Sequence, residues 1–334
     1  MLGMSRATLS RYFQDPSSVR RTTKSKIEAA LREVDYVPNF FARNMNRQKT
    51  KLVGVVIPYL SDLFYTNLIE AIERRAKHMD YGVIIQVSNN NRKDEIQALE
   101  SLRSMNAGGV IIAPLGAESD IPAFERINRE LPLVFVDSTL DHETLNVPFV
   151  GTDNRQSIQL MVNYLCRTGK PPVFFNMPNS NSNSVARVAV YRDRMCDLGH
   201  EAEIIEPNED TTRWDFEEYA YARMSLEFGR GSHLDSTILC ANDRLAMGVL
   251  RAANEFGLFS KGSGGEQPFR VAGHDDHPLS GFLWPSLTTV SQDSDQLGQI
   301  AFEMLVERAE SPESADKPIP VRLLQSLLVL RDSA

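Results

Sequence analysis

The side chains best suited to chemistry in this sequence are carboxylates, amides, a guanidinium and aromatic rings, most of which stand after short apolar runs. Carboxylate, amide and guanidinium groups offer planar arrays of hydrogen-bond donors and acceptors to hydroxyl groups, and an aromatic face packs against the C–H side of a pyranose. These side chains therefore predict a site for a small hydroxyl-bearing ligand. They are Asp62, Phe64, Tyr65, Asn89 to Asn91, Asp137, Asn179, Asn181, Asn183, Arg187, Trp214, Asn242, Asp243, Asp275 and Asp276.

Each Asn or Asp in this set has an alternative role as a helix cap, because both residue types are favoured N-caps after a strand. Their convergence on one cleft would favour ligand binding over capping alone. We predict mainly structural roles for Asp243, as a cap, and for Asp276, as a loop anchor. Trp214 alone could be a core residue, but it follows the polar run PNEDTTR and is predicted at the rim of the cleft.

The polar positions stand at the carboxyl ends of predicted strands. From residue 52 onward, β-rich runs alternate with amphipathic helical patterns, which predicts a parallel sheet covered by helices on both faces. The rhythm restarts after Thr152 and so predicts a second lobe of similar design. Small molecules bind outside the carboxyl ends of strands in such sheets. The predicted strands are Leu52–Ile57, 83–87, 110–113, Leu133–Val136, 173–176, 203–205 and Thr237–Cys240.

The first 51 residues differ in charge from the rest of the chain. They carry eleven Lys and Arg against four Asp and Glu, a net charge of +7, and the remainder carries −15. Within this basic head, Leu9, Tyr12 and Phe13 fall on one face of a short helix that Ser5 can cap, and a second amphipathic helix follows. The pattern predicts a polyanion-binding module on an acidic body, and the alternative is a solvated basic tail.

Composition and motifs argue against several other classes of protein. No apolar run approaches the roughly 18 residues of a membrane helix, and MLGMSRATLS lacks the apolar region of a secretory signal, so we expect a cytoplasmic protein. Cys166, Cys196 and Cys240 show no metal or redox spacing, and neither a metal nor a cofactor is predicted. An enzyme is not predicted either, because GxxxxGK(S/T), GxSxG and HExxH are absent and PYLSDLF follows the first strand in place of GxGxxG.

The basic head resembles the helix-turn-helix of the lactose-repressor (LacI/GalR) family of bacterial transcription regulators. GMSRATLSRYF stands where the family has its recognition helix, and TTKSKIEAALREVDYVPN matches its third helix and exit. On this resemblance Arg6, Ala7 and Arg11 read base edges in the major groove, where an Arg can grip guanine O6 and N7 together. The resemblance assigns phosphate contacts or helix capping to Ser5, Thr8 and Ser10.

The segment NFFARNMNR, which begins at Asn39, resembles the hinge helix of this family, which pushes an apolar side chain from each subunit into the minor groove. Met45 stands at that wedge position, with Ala42 one turn before it, and such insertion kinks the duplex. The alternative is an ordinary linker with one buried Met. The family's first helix would precede residue 2, so the resemblance implies either a start upstream of Met1 or an amino-terminally shortened head.

The resemblance covers essentially the whole chain after residue 2 and is most specific in the second half. CANDRLAMGVLRAANEFGL and VAGHDDHPLSGFLWPSLTTVSQD match the family signatures AND-x-x-A-x-G and GxDD…P-x-LTTV-x-Q nearly position for position. His274 replaces a more usual aromatic or aliphatic residue, and Gly169 and Lys170 stand where other members commonly carry Gly-His. The resemblance implies that a small sugar or sugar derivative contacts Arg187, Asn242, Asp275 and Trp214, in a site also lined by Phe64, Asp137, Asn181 and Asn183.

The implied fold class is α/β, with two Rossmann-like lobes of the periplasmic-binding-protein type I and a small all-α helix-turn-helix head that lacks its first helix. The predicted domains are the head at 1–38, the hinge helix and linker at 39–51, and the effector-binding and dimerisation body at 52–334. Within the body, we expect the first lobe at about 52–152 plus 292–318 and the second at about 153–290 plus 319–334.

The resemblance implies a sequence-specific DNA-binding transcription regulator, a repressor, whose operator affinity is controlled by an effector bound between the lobes. A homodimer on a two-fold symmetric operator is the simplest functional unit. The alternative is a sugar-binding protein of transport or sensing type without DNA-binding activity, and the basic head and the absent signal peptide favour the regulator. The identity of the sugar, and whether it relieves or strengthens operator binding, stay open at this point.

Overall fold

A computed structural model describes residues 4–14, 17–33, 50–116, 119–140, 142–178, 181–207, 214–259, 269–310 and 319–334. The chain divides into two units, residues Met1–Lys51 and Leu52–Ala334, and each is described by itself. Within the described part of the chain, none of the helices combines the length and the apolar character that a bilayer-spanning segment needs.

The smaller unit contains two described helices, α1 (Arg6–Gln14) and α2 (Arg21–Glu33). The predicted cap is present, because the Ser5 Oγ accepts the Thr8 N–H at 3.1 Å and so satisfies a free amide of the first turn. Tyr12 and Ile27 are buried, as the apolar periodicity predicts. The basic head is therefore a folded helical unit over its described residues.

The first lobe of the larger unit is built on a six-stranded parallel sheet. Its strands are β1 (Leu52–Ile57), β2 (Gly82–Val87), β3 (Gly109–Ile112), β4 (Leu133–Val136), β5 (Phe149–Thr152) and β11 (Val321–Leu324), in the order β11-β5-β4-β3-β1-β2. All six residues of β1 are buried, as expected for a parallel strand covered on both faces. The helices of this lobe are α3 (Leu63–His78), α4 (Arg92–Ser104), α5 (Ile121–Asn128), α6 (His142–Leu145) and α11 (Ser294–Glu310).

The second lobe is built on a four-stranded parallel sheet. Its strands are β6 (Pro172–Phe175), β7 (Ile204–Ile205), β8 (Thr237–Cys240) and β9 (Arg270–Ala272), in the order β7-β6-β8-β9. Its helices are α7 (Asn154–Thr168), α8 (Ser182–Asp197), α9 (Phe216–Gly229) and α10 (Asp243–Glu255), and a short 3₁₀ helix spans Ser280–Phe282. The described strands of both sheets confirm the parallel architecture that the alternating pattern predicts.

The amphipathic pattern of the sequence predicts a helix over residues 186–198, and the structure shows that this helix, α8, begins one turn earlier, at Ser182. The cause is the Asn181 side chain, which accepts the Asn183 N–H at 3.0 Å and caps the helix. Asn183 and Arg187 are consequently four residues apart on one helix and share a face. The earlier start thus aligns two of the predicted ligand-binding side chains.

Over the described residues, the chain passes between the two lobes three times: from β5 into α7, from β10 (Thr289–Val290) into α11, and from β11 into β12 (Leu328–Val329). β10 and β12 pair in antiparallel fashion. The expected lobe boundary at 319 is wrong for β11, which pairs with β5 of the first sheet. An apolar run does not specify its sheet, and the free edge of β5 accepts this partly exposed strand.

Candidate ligand-binding cleft

A cavity lies between the two lobes at the carboxyl ends of their strands and encloses about 410 Å³ of space, counting its open side. The eight residues that the sequence assigns to the effector all line it, from both lobes: Phe64, Asp137, Asn181, Asn183, Arg187, Trp214, Asn242 and Asp275.

Six further residues line the same cavity: Asp62, Tyr65, Met177, Phe216, Arg244 and Gln292. Asp62 and Tyr65 belong to the set of candidate ligand-site residues after the first strand, although the family resemblance does not assign them to the effector. Arg244 and Gln292 lie inside the two family signatures quoted above, and this position could have identified them as candidate lining residues. Met177 and Phe216 carry no sequence feature that separates them from core residues.

The carboxylate of Asp137 is held by donors from both lobes. The Tyr65 hydroxyl donates to Asp137 Oδ2 at 2.9 Å, and the Asn183 Nδ2 donates to Oδ1 at 3.1 Å. Burial raises the pKa of Asp137 to about 6, although the charge of Arg187 and the bond from Tyr65 act in the opposite direction. Asp137 is thus a buried acceptor that no cation contacts within hydrogen-bond distance among the described residues.

Arg187 is the most deeply buried cation of the cavity, with 3% of its side chain exposed. Its Nε donates to Asn154 Oδ1 at 2.9 Å, and its Nη1 donates to the Ala241 carbonyl at 2.7 Å and contacts Asp275 Oδ1 at 3.4 Å. No hydrogen bond from its Nη2 occurs within the described residues. The guanidinium is therefore fixed in orientation and keeps N–H donors for a ligand.

Asp275 is positioned by neighbours from both lobes and from the crossover. The Gln292 Nε2 donates to its Oδ1 at 2.6 Å, and the Thr152 hydroxyl donates to Gln292 Oε1 at 2.6 Å. His274 is fully buried between Asp275 Oδ1, at 3.0 Å, and the Ser157 Oγ, at 2.8 Å. Burial, helped by the charge of Arg187, lowers the pKa of His274 well below its usual value, so the imidazole orients Asp275 without adding a charge.

Asp62 joins the two lobes at the rim of the cavity. Its Oδ2 accepts the Trp214 Nε1–H at 3.2 Å and the Arg244 Nη1–H at 3.1 Å, both from the second lobe. Arg244 also donates to both carboxylate oxygens of Glu217, at 2.6 and 2.7 Å. Both members of the Asp62–Arg244 pair are about nine-tenths buried, so this ion pair holds the lobes together in the present arrangement.

An aromatic group flanks these polar side chains. The Trp214 ring lies 5.3 Å from the Tyr59 ring, 6.3 Å from the Tyr65 ring and 5.1 Å from the Phe216 ring, measured between centroids. Phe64, Tyr65, Trp214 and Phe216 line the cavity together with the carboxylates and amides, whereas Tyr59 lines a neighbouring recess. Such a combination suits a ring that carries hydroxyl groups at its edge and C–H groups on its face.

Comparison with known proteins decides the family. A family model described as periplasmic binding proteins and sugar binding domain of the LacI family matches residues 50–327. A second, described as bacterial regulatory proteins of the lacI family, matches residues 2–39. The chain belongs to the LacI family.

Curated relatives of this LacI-family chain are transcription regulators. The HTH-type transcriptional regulator RegA of Clostridium saccharobutylicum is 27% identical over 338 residues, which cover 99% of this chain and 96% of RegA. Catabolite control protein A of Streptococcus mutans is 26% identical, over 95% of this chain and 91% of its own length. The HTH-type transcriptional repressor PurR of Salmonella typhi has the same identity and coverage.

Solved structures share the fold. The lac repressor bound to ONPG in the repressed state aligns with a TM-score of 0.83 at 24% identity, over 100% of this chain and 97% of that chain. A complex of the transcriptional regulator CelR with cellobiose aligns with a TM-score of 0.67 at 20% identity and the same coverage. The family, the fold class and the regulatory function predicted from the sequence are confirmed, and the curated relatives are regulators, not enzymes.

Some strand-end residues of the LacI-family chain lie outside the cavity. Asn91 caps α4, and Asn89 and Asn90 line a neighbouring open recess. Asp243 is buried and accepts hydrogen bonds from the His277 N–H, the Ser280 hydroxyl and the Thr289 hydroxyl, which fixes the loop that follows β9. Asp276 pairs with Arg331 at 2.6 Å, in agreement with the predicted loop anchor. Asn242, not Asp243, caps α10, and Asn179 lies outside the described residues.

The DNA-contact candidates are described only in part. Ala7 and Arg11 are exposed on α1, as required for reading a groove, and Ser5 and Thr8 form the capped first turn. Arg6 and Ser10 lie within α1, but their side chains are outside the described set. The predicted hinge residues Asn39, Ala42 and Met45 also lie outside the described residues.

Glu95 supports the wall of the cavity from behind. Its Oε1 accepts the Leu115 N–H at 2.9 Å, and the backbone of neighbouring Gly116 packs against Asn181, where an added Cβ would lie 3.1 Å from the Asn181 Cα. Burial raises the pKa of Glu95 from 4.5 to about 7, although the bond from Leu115 opposes this. The carboxyl group thus holds a loop that the second lobe contacts.

Glu95→Gln is expected to make the protein more stable above pH 7 and to leave stability at pH 5 nearly unchanged. A raised pKa in the folded state means that the stability contributed by the protonated acid is lost as pH rises from about 4.5 to about 7. The amide keeps the bond from Leu115 without the charge, so the gain above pH 7 is about 3 kcal/mol. Urea unfolding of the variant and the wild type at pH 5, 6, 7 and 8 measures this difference in the free energy of unfolding.

Glu100→Gln on the same helix is the matched control. Hydrogen bonding to Arg126, together with the charges of Arg103 and Arg126, lowers the pKa of Glu100, so its loss should slightly destabilise the protein at neutral pH. A stability difference between Glu95→Gln and the wild type that does not change with pH would show that the Glu95 carboxyl does not titrate in this range.

Proposed function

We propose that this chain is a cytoplasmic repressor that binds a two-fold symmetric operator as a homodimer and releases it when a small sugar binds between the lobes. The observation that carries the proposal is the convergence of eight side chains, named from the sequence, on one cavity. Ligands of two structurally similar proteins, ONPG and cellobiose, are sugar derivatives or sugars and support the class of effector.

The proposed chemistry of binding follows from the groups in the cavity. Asp137 and Asp275 accept hydrogen bonds from ligand hydroxyls, and Arg187 and Asn242 donate to ligand oxygens. The Trp214 ring covers a C–H face of the sugar. Since these groups come from both lobes, a bound sugar stabilises one relative arrangement of the lobes over another.

The proposed control is thermodynamic linkage between two sites. A sugar that prefers a lobe arrangement with weaker operator binding lowers operator affinity, and bound operator must weaken sugar binding by the same factor. Arg6, Ala7 and Arg11 are proposed to read bases, Ser5, Thr8 and Ser10 to contact phosphates, and Asn39, Ala42 and Met45 to form the hinge contact. Typical coupling in such systems is about 1–3 kcal/mol, or roughly 5–150-fold.

The effector half of the proposal is tested by thermal unfolding of the full chain with a panel of sugars and polyols. A ligand present at about 100 times its dissociation constant adds about 2.7 kcal/mol of stability and raises the melting temperature. We expect at least one monosaccharide or disaccharide to do so. The absence of any shift with sugars, polyols, sugar phosphates and sugar acids would overturn the effector assignment.

The DNA half is tested by selecting duplexes that the full chain binds from a random-sequence library, with and without the stabilising sugar. We expect enrichment of a near-palindromic sequence, and Arg11→Ala should lose about 1–3 kcal/mol of discrimination at one base pair of each half-site. Arg192→Ala, on the exposed surface of α8, is the control and should select the wild-type sequence. If no sequence is enriched, or if the sugar leaves DNA affinity unchanged, the repressor proposal fails.

A further inference from the structure

The cavity contains more negative than positive charge. Among its described lining residues, Asp62, Asp137 and Asp275 face two cations, Arg187 and Arg244. Arg244 is shared with a fourth carboxylate, Glu217, which binds it through both oxygens. His274, fully buried against Asp275, adds no positive charge because burial keeps it neutral. A ligand that enters the cavity therefore meets a surplus of carboxylates.

Both guanidinium groups already have carboxylate partners within the protein. Arg187 contacts Asp275 at 3.4 Å, and Arg244 contacts Asp62 at 3.1 Å in addition to Glu217. A phosphate or carboxylate on the ligand would have to compete with these internal partners for the same cations. The alternative, a new anion beside the existing carboxylates, places like charges close together in a poorly solvated site.

At each helix N-terminus that opens on the cavity, a side chain of the protein already accepts a hydrogen bond from one of the free backbone amides. The N-cap residues of three helices, α3, α8 and α10, line the cavity, and free amides at helix N-termini are the usual backbone site for phosphate. Here each end is capped by its own side chain. Asp62 accepts from the Phe64 N–H at 3.1 Å, Asn181 from the Asn183 N–H at 3.0 Å, and Asn242 from the Leu245 N–H at 2.8 Å.

We infer that the effector is an uncharged sugar, and that the cavity rejects the phosphorylated and carboxylated forms of the same sugar. The inference rests on the proposed function and narrows its class of ligand. Asp137 is the residue that sets this discrimination, because its described hydrogen-bond partners, Tyr65 and Asn183, are neutral donors, whereas Asp62 and Asp275 contact arginine. The extra charge of an acidic sugar is expected to weaken binding about 100-fold.

The test uses matched sets on the full chain: each neutral sugar with its 6-phosphate or 5-phosphate, its aldonic acid and, for hexoses, its 2-amino derivative. Titration calorimetry at pH 7.5 measures each dissociation constant. We expect one neutral sugar to bind, and its phosphate and its acid to bind about 100-fold more weakly. The amino derivative should lose less affinity than the acid, because its positive charge matches the surplus of carboxylates.

Asp137→Asn separates charge exclusion from simple loss of a contact. The variant should bind the neutral sugar more weakly but should reduce the gap between neutral and acidic forms from about 100-fold to about 10-fold or less. A purely structural role would weaken both forms by the same factor and leave the gap intact. Asp197→Asn, which removes one exposed carboxylate at the far end of α8, is the control and should keep the full gap.

The outcomes distinguish failure of the charge discrimination from failure of the sugar-effector function. If a sugar phosphate or sugar acid binds as tightly as its neutral form or more tightly, the inference is overturned while the sugar-effector function stands. If no member of any set binds, both fail. If the neutral form binds and the gap persists unchanged in Asp137→Asn, the assignment of discrimination to Asp137 is wrong.

Discussion

Arg187→Lys is expected to weaken binding of the most stabilising sugar by about 100-fold. Three acceptors fix the guanidinium: the Asn154 amide, the Ala241 carbonyl and the Asp275 carboxylate. The planar fork bonds to these groups and still directs N–H donors into the cavity. A lysine has a single nitrogen at the end of a flexible stem, so it cannot serve all of these acceptors and the ligand at once. Losing the charge-assisted hydrogen bonds between the guanidinium and the sugar costs about 3 kcal/mol of binding free energy.

The same substitution should also destabilise the protein without ligand, because buried acceptors lose their donors at a cost of about 1–3 kcal/mol each. Calorimetric titration and thermal unfolding of the same samples separate the two effects. Arg192→Lys is the control, since it lies five residues along the same helix and forms an exposed ion pair with Glu206. Sugar affinity of Arg187→Lys within about threefold of the wild type would contradict the role given to the guanidinium.

The convergence of the candidate ligand-binding residues on one cavity could be predicted because it follows from a property of parallel sheets. Asp137 directly follows β4, and Asn242 and Asp275 follow β8 and β9, so all of them reach the edge of a sheet where ligands bind. This prediction required only that the end of each strand be located correctly in the sequence. The one-turn error at the start of α8 did matter, because only the earlier start places Asn183 on the same helix as Arg187 and on the same face.

The contacts between the lobes could not be predicted in the same way. Asp62 and Arg244 are 182 residues apart, and their ion pair depends on how far the lobes close. The degree of lobe closure depends on tertiary packing, which cannot be inferred from strand ends or from hydrophobic periodicity. His274 illustrates the same limit: the sequence showed an unusual residue, but its role depends on the Ser157 hydroxyl, which α7 brings within 2.8 Å.

The assignment of β11 to the second lobe failed for a related reason. The run VRLLQSLLVL is apolar enough to be a strand in either sheet, and two strands do form there in different places. Val321–Leu324 extends the first sheet beside β5, and Leu328–Val329 pairs with β10. Composition does not reveal which free edge each of these two strands joins.

Gly248→Ala is expected to lower the free energy of unfolding by about 3 kcal/mol and to weaken sugar binding. An added Cβ at Gly248 would lie 2.2 Å from the Glu217 carbonyl oxygen and 2.7 Å from the Tyr221 amide nitrogen, both on the backbone of α9. Backbone atoms cannot move aside as a side chain can, so α9 and α10 must separate. That separation would pull Arg244 on α10 away from Glu217 on α9, and Arg244 lines the cavity.

Gly229→Ala provides the matched control for this clash. Gly229 ends α9, and an added Cβ there would meet only the Phe256 ring edge at 4.0 Å, so alanine should be neutral or stabilise by up to about 1 kcal/mol. Urea unfolding measures both variants, and titration with the stabilising sugar measures the effect on the cavity. If Gly248→Ala is destabilised but binds sugar normally, the α9–α10 packing supports the fold and does not position Arg244. If it is as stable as Gly229→Ala, the close approach of the two helices does not limit stability.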